Sequence, residues 1–373
     1  MLGASIVIAG ILTMVMIHEG GHFVAAKIFG MKATEFFFGF GPKVFSVRRG
    51  ETEYGMKALP LGGYVRIIGM NPIEEVAPEE EHRTYRGKPF WQKSIVVLAG
   101  ISTHFVVAFA LFYIVAVGLG ERDFDNPEPV VRSVVEQLED GTATPASLAG
   151  VQPDDRIVAV DRVSVVTWED LTAYLEPRAG EVVTLTVDRA GERVGLRATL
   201  AERDTSDGVV GFLGVSPSYP RIRSGVVDGF GSAGGDVAFA TKESFRGLWG
   251  LVANMGDLVG AVFGGSDDVL GENGARPLSP IGIARLGAAT EEVGIEATLF
   301  VVAWVFVFVG VVNMIPMYPL DGGHFAVALY TKVRGREPDV EKLVPVAAVV
   351  LIFLVLIGFL GLYFDLVEPI SFM

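Results

Sequence analysis

Apolar residues along the chain fall into a few long uncharged runs separated by stretches of ordinary polarity. Crossing a bilayer as a helix takes about 20 mostly apolar residues. Four runs meet or approach that length: residues 2–17, 94–118, 297–317 and 345–363. Within the second, His104 is the one interruption. The first differs from a secretory signal, because no Lys or Arg precedes Lys27 and the run leads straight into His18-Glu19-Gly20-Gly21-His22. Between the first two runs, residues 36–48 and 54–68 carry Gly-rich turns and read as strands.

The long segment between the second and third runs has a different texture. Residues 129–219 predict a compact β-rich domain. Strands are expected at 130–135 and 156–160, and a hairpin at 181–187 and 193–200 around Ala190-Gly191. Helices are expected at 145–149 and 168–175, the latter with Thr167 as N-cap and Asp170 in its first turn. Over 236–263, Phe245, Leu248, Val252, Met255, Val259 and Val262 recur at helical spacing. Lys242, Glu243, Arg246 and Asp257 interrupt that segment too often for a span. It reads as a helix lying on the membrane surface, or as a soluble helix packed on the β-rich domain.

Composition sharpens this. Half the residues are hydrophobic and 20% are charged, against about a quarter in an ordinary soluble chain. The chain has 0 Cys, which removes disulfides, thiolate nucleophiles and Cys-ligated zinc. Any metal site must then use His and carboxylates. The net charge of −14 argues against non-specific nucleic-acid binding. Residues 27–93 hold 11 Lys+Arg, and Lys332, Arg334, Arg336 and Lys342 follow the third run. Residues 121–296 hold 15 basic and 29 acidic residues. Basic loops stay cytoplasmic. Residues 27–93 and 319–344 are therefore expected inside, with 121–296 and both termini outside.

The chemistry concentrates in His18-Glu19-Gly20-Gly21-His22. On a helix, His at i and i+4 face the same way, so both imidazoles reach one metal ion. Glu19 between them can take a proton from an attacking water. Such residues at the end of an uncharged run are expensive unless functional or paired. A third ligand must come from a carboxylate or a further His. The sequence Asn313-Met314-Ile315-Pro316-Met317-Tyr318-Pro319-Leu320-Asp321-Gly322-Gly323-His324 follows the third run. It offers Asp321, with prolines that break the helix and glycines that allow close approach. Read alone, the same stretch is also a helix-ending turn with a solvated Asp.

These two motifs together resemble the site-2 protease family of intramembrane zinc metalloproteases (peptidase family M50), and most closely its bacterial regulator-of-sigma-factor branch. The resemblance covers essentially the whole chain. Further matching pieces are Phe38-Gly39-Phe40-Gly41-Pro42, Leu59-Pro60-Leu61-Gly62-Gly63-Tyr64-Val65 and Pro280-Ile281-Gly282-Ile283-Ala284. Residues 146–171, from Ala146-Ser147-Leu148-Ala149-Gly150 onward, resemble a PDZ domain, which binds an extended chain by strand addition.

The resemblance implies a multi-pass α-helical membrane protein with four transmembrane helices, a membrane-associated β-hairpin sheet and an inserted extracytoplasmic PDZ domain. Its expected segments are 1–26 (first span), 27–93 (cytoplasmic sheet), 94–119 (second span) and 120–225 (PDZ). After them come 226–295 (interfacial helix and linker), 296–318 (third span), 319–344 (cytoplasmic loop), 345–364 (fourth span) and 365–373 (tail). The resemblance implies a Zn2+ ion held by His18, His22 and Asp321, with Glu19 as the base. It implies that Asn313, Gly62, Gly63 and Tyr64 hold the substrate, and that Gly20 and Gly21 bring another backbone close to the motif helix. Where the family often has Pro and Asn after Ala-Gly, this chain reads Ala99-Gly100-Ile101-Ser102-Thr103-His104-Phe105. His104 then reads as a hydrogen bonder near the ligands or as a neutral core histidine, and His324 as a ligand-supporting or plain interfacial residue.

The expected activity is cleavage of transmembrane protein substrates within the lipid bilayer of the cell membrane. Anti-sigma factors and signal-peptide remnants are the substrates the family suggests, and peptide ends or an ectodomain would meet the PDZ domain. Two rivals are a non-catalytic PDZ scaffold with a structural zinc, which has no need of Glu19, and a transporter. A transporter predicts paired repeats, and the two halves of this chain show none.

Overall fold

The computed structural model describes residues 2–71, 74–138, 141–205, 208–256, 260, 277–336 and 338–367. In chain order the helices are α1 (Leu2–Ile28), α2 (Phe90–Tyr113), α3 (Pro145–Ala149), α4 (Trp168–Leu175) and α5 (Asp228–Ala253). They continue with α6 (Pro280–Val293), α7 (Ile295–Asn313), α8 (Asp321–Arg334) and α9 (Val340–Val367). The chain divides into two compact units, one of residues Leu119–Arg223 and one of Met1–Gly118 with Ser224–Met373.

In the larger unit four helical segments are long and apolar enough to cross a membrane: Leu2–Ile28, Phe90–Leu119, Ile295–Asn313 and Glu341–Val367. Helices α1, α2 and α7 share a core of Val7, Met14, Ala108, Phe112, Val302, Phe306, Val307 and Val311. In lipid, packing of this kind substitutes for the hydrophobic effect that drives association in water. Helix α9 leaves most of its side chains exposed, including Val349, Ile352 and Phe359, as a helix solvated by acyl chains would.

Strands β1 (Ala33–Arg49) and β2 (Thr52–Ile67) form a curled antiparallel pair. Phe36 pairs with both Tyr54 and Val65, and Phe37 with both Gly55 and Tyr64. The first half of β1 is thus flanked by both halves of β2. This leaves residues 63–67 as a sheet edge, which packs against α1 at Val15 and Met16. A second core cluster, including Ala26, Met31, Ala33, Ile67, Val96 and Val97, joins the base of this sheet to α1 and α2.

Several elements differ from the sequence expectation. The third run ends as helix at Asn313 rather than at 317–318, because Pro316 and Pro319 cannot continue the ladder. Residues 319–344 contain a helix, α8, where a loop was expected. Its two glycines lower helix propensity, but it buries Gly322, Gly323 and Ala328, and packing outweighs propensity. Helix α9 starts before Pro345, which therefore lies inside it and leaves the Glu341 carbonyl without its i→i−4 donor. Helix α5 begins at Asp228 instead of 236. Of its expected continuation, residues 257–259 and 261–263 lie outside the described residues. It turns the small residues Ala233, Ala240 and Ser244 inward and leaves Phe239, Phe245, Trp249 and Val252 exposed. The linker expected before the third run holds α6, N-capped by Ser279 with Pro280 at its first position.

The smaller unit is β-rich. Its strands are β3 (Glu121–Arg122), β4 (Glu128–Val134), β5 (Arg156–Val160), β6 (Val163–Ser164), β7 (Val182–Arg189) and β8 (Glu192–Thr199). The remaining four are β9 (Ala201–Thr205), β10 (Gly208–Phe212), β11 (Val215–Ser218) and β12 (Arg221–Ile222). The main sheet runs β11-β4-β5-β7-β8, with β6 beside β5. Its core is Val131, Ile157, Val160, Leu171, Leu175, Val183, Leu185 and Val187. Each such buried side chain contributes roughly 1.5–3 kcal/mol. Thr167 caps α4 through a reciprocal pair of bonds with Asp170, as the spacing predicted. Strands β9 to β12 were not anticipated. They are short, and their partners are set by the fold.

Candidate metal centre

The helical period of α1 places His18 and His22 on one face, with their Nε2 atoms 3.2 Å apart. Asp321, the first residue of α8, brings its Oδ2 to 3.2 Å from His18 Nε2 and 3.3 Å from His22 Nε2. Among the described residues these three form the cluster able to hold a metal ion. Their near-equal spacings test its fit. With bonds of about 2.0–2.1 Å, donors in a tetrahedral zinc site stand about 3.3–3.4 Å apart. The observed triangle has that size. Asp321 Oδ2 is moreover buried without a hydrogen-bond donor, as expected of an oxygen that faces a cation. The donor set of two imidazoles and one carboxylate leaves a fourth position open.

The surroundings decide how the ligands are presented. His22 Nδ1 donates to the Val96 carbonyl over 2.8 Å, so Nε2 keeps its lone pair for the site. Helix α2 must pass very close for this bond. A Cβ at Gly100 would run into the His22 ring, and one at Gly21 would lie 2.7 Å from the Ala99 carbonyl oxygen. Gly20 does not share that role, since a Cβ there would meet nothing within 4 Å. Next to Asp321, a Cβ on Gly322 would collide with the carbonyls of Met314 and Ile315, so the turn into α8 requires glycine.

Glu19 sits beside the cluster, and its Oε2 accepts from the Val65 backbone N–H over 2.9 Å. The segment carrying that N–H is the β2 edge. A Cβ at Gly63 would come 2.9 Å from Met16 Sδ, and Gly62 adopts φ +140° under the Phe40 ring. Tyr64 stacks on Phe37 and Phe40 at 5.9 and 6.1 Å, and its hydroxyl donates to Glu35. That bond, helped by Arg66 and Lys57, keeps Glu35 below the ordinary carboxylate range. Asn313 is the half-buried last residue of α7. Among the described residues no hydrogen bond of its side chain joins it to the cluster.

A cavity of about 750 Å³ lies along Tyr64, Val65, Arg66, Tyr318, His324 and Val344. Tyr318 and His324 meet on its wall, hydroxyl to Nδ1, at 3.1 Å. Burial pushes His324 down to about 4, so the ring is neutral at ordinary pH. Among the described residues, His82, in a charged run, bonds its neighbouring Glu79 carbonyl.

One contact was beyond sequence reasoning. Val65 is an ordinary strand residue whose backbone N–H does the binding, and no residue type signals that. His104 is different. It lies 3.1 Å from His18 Nδ1 and is 1% exposed, so it belongs beside the candidate ligands rather than in a remote core. A polar residue inside an uncharged run was its signal.

Residues 6–357 match the family model for peptidase family M50. The chain is 31% identical over 396 residues to the zinc metalloprotease Rip1 of Mycobacterium tuberculosis, covering 96% of each. It is 30% identical over 415 residues to Rip1 of Mycolicibacterium smegmatis, covering 100% of this chain and 99% of that one. Among solved structures, a PDZ domain of an SdrC-like protein from Listeria innocua matches 25% of this chain and 97% of its own, at 18% identity and a TM-score of 0.20.

Proposed function

Because the chain belongs to peptidase family M50, we propose that His18, His22 and Asp321 hold the zinc ion of an intramembrane metalloprotease and that Glu19 is its general base. The observation carrying this is the near-equilateral triangle of His18 Nε2, His22 Nε2 and Asp321 Oδ2. A bound zinc would polarise the scissile carbonyl and make water a competent nucleophile at neutral pH. The protein's part is positional and acid–base. Glu19 Oε2 is tied to Val65, which orients the carboxylate and leaves Oε1 to take a proton from water and return it to the leaving nitrogen. The metal-binding face of His22 is held by Val96.

A transmembrane helix hides its carbonyls in intrahelical bonds, so a substrate must unwind before cleavage. Residues 63–67 present a sheet edge beside Glu19, and an unwound segment would pair there by strand addition. Gly62, Gly63 and Tyr64 belong to that binding edge, and the cavity beside it has room for the strand. Asn313, at the end of α7, would help hold the same segment.

The distribution of charge supports a topology with 27–93 and 319–344 in the cytoplasm of a cell-membrane protein and 120–225 outside. The smaller unit serves there as a PDZ domain for peptide ends or ectodomains. Its edge strand β11 borders a groove of about 300 Å³ lined by Trp168, Leu171, Leu175 and Leu213. Anti-sigma factors or signal-peptide remnants fit as substrates, since both present a membrane segment.

The test is cleavage of a transmembrane substrate by purified Glu19→Gln and His22→Phe variants. Loss of cleavage is expected in both. Wild-type cleavage by either would overturn the assignment.

A further inference from the structure

We propose that His104 is a positioning residue that accepts the Nδ1–H of His18 and so presents His18 Nε2 to the metal. This rests on the reading of His18, His22 and Asp321 as ligands. A ligating imidazole carries its proton on the other ring nitrogen, and that N–H needs an acceptor to fix the ring. His22 has the Val96 carbonyl at 2.8 Å. For His18 the corresponding position is filled by His104 Nε2, at 3.1 Å from His18 Nδ1. The two rings lie 4.8 Å apart with a tilt of 38°.

The geometry assigns His104 a supporting place rather than a fourth ligand position. Its Nε2 faces the far side of the His18 ring, away from the point where the three donor atoms converge. Its other nitrogen, Nδ1, is buried without a hydrogen-bond partner among the described residues. The contact to His18 is therefore the polar bond that this buried imidazole makes. The tautomers follow in sequence: metal at His18 Nε2 puts the proton on Nδ1, and His104 must then offer an unprotonated Nε2.

The ring is held in place by apolar neighbours. Phe306 of α7 lies edge-on at 6.1 Å. Gly310 leaves room for the residue, because a Cβ there would come 2.9 Å from His104 Cβ. A residue kept only to fill space would be served as well by Leu or Phe. The hydrogen bond to His18 needs an acceptor.

The experiment uses the full-length protein in detergent and measures zinc affinity against a chromophoric chelator, together with the absorption of the cobalt-substituted protein. His104→Leu should weaken zinc about 10–100-fold, the range for loss of such a partner, and shift the cobalt spectrum. Cleavage should return when zinc is raised above the new dissociation constant. His104→Gln, whose Oε1 reaches the place of Nε2, should restore most of the affinity. Wild-type zinc affinity in His104→Leu, or equal losses in His104→Leu and His104→Gln, would overturn the proposal. His22→Phe separates the two readings. If it loses zinc while His104→Leu does not, only the His104 role fails; if it binds zinc like wild type, the ligand assignment and this proposal fall together. Should His104→Leu not fold, Gly310→Ala displaces the same ring and must weaken zinc, while His104→Gln must not.

Discussion

The backbone N–H of Val65 donates to Glu19 Oε2 over 2.9 Å, joining the edge of the β-hairpin to the motif helix. The proposed general base and the strand that would hold the substrate are therefore directly bonded. Val65→Pro removes the donor and leaves every ligand in place. A hydrogen bond to a charged acceptor is worth about 1.5–3 kcal/mol, which converts to about a 10–100-fold loss of cleavage rate. Zinc content should stay at the wild-type level. Rate and metal content measured on the same preparation check this, and a parallel loss of zinc would contradict it.

Gly100 and Gly20 make a contrasting pair. A methyl at Gly100 enters the space of the His22 ring, whereas one at Gly20 meets nothing within 4 Å. Gly100→Ala is expected to weaken zinc at least tenfold, a loss of the size seen when ligand support is removed. Gly20→Ala should keep wild-type zinc affinity and raise helix stability by up to about 1 kcal/mol. Chelator competition and thermal unfolding distinguish the two.

The smaller unit should have an acid-sensitive joint at Asp155. Burial pushes this carboxyl up, but the Arg189 guanidinium and the Gln152 N–H outweigh burial and hold it below its usual range. A depressed carboxyl contributes stability that is present above its unfolded pKa of about 4 and is lost as pH falls through the lower folded value. Hydrogen exchange around residues 150–156 should therefore accelerate below about pH 4, and Asp155→Asn should flatten that dependence. Exchange that is independent of pH in the wild type, after correction for intrinsic rates, would contradict the joint.

The chain has 0 Cys, so single cysteines report sidedness without background. Arg197→Cys, in exposed strand β8, should react with a membrane-impermeant maleimide on intact spheroplasts. Lys88→Cys should react only after lysis. The opposite pattern would invert the topology.

Local spacing carried much of the reading. His18 and His22 share a face because four residues make about one helical turn, whatever surrounds them. Thr167 and Asp170 close a capping box for a similarly local reason. The hairpin at Ala190-Gly191 followed from its turn chemistry, and both elements stand where the pattern predicted. The long apolar runs marked four helices because each reaches or approaches the length that spans a membrane by itself.

What the sequence determined by itself was whatever a single stretch of chain can enforce: the apolar spans, the imidazole pair, the capped helix, and the need for a carboxylate or a third His in a chain without cysteine. Asp321 as a ligand candidate rested on a second motif and a family resemblance. Its Oδ2 closes the triangle only because α8, which was not expected, starts at that residue, packs on α2, and turns tightly against residues 314–318 through Gly322 and Gly323. The Val65 bond to Glu19 and the His104 bond to His18, the latter across 86 residues, were decided by tertiary structure alone. The physical reason is that a hydrogen bond depends on where a partner is delivered in space. Local chain geometry controls that for neighbours, and packing controls it for everything else.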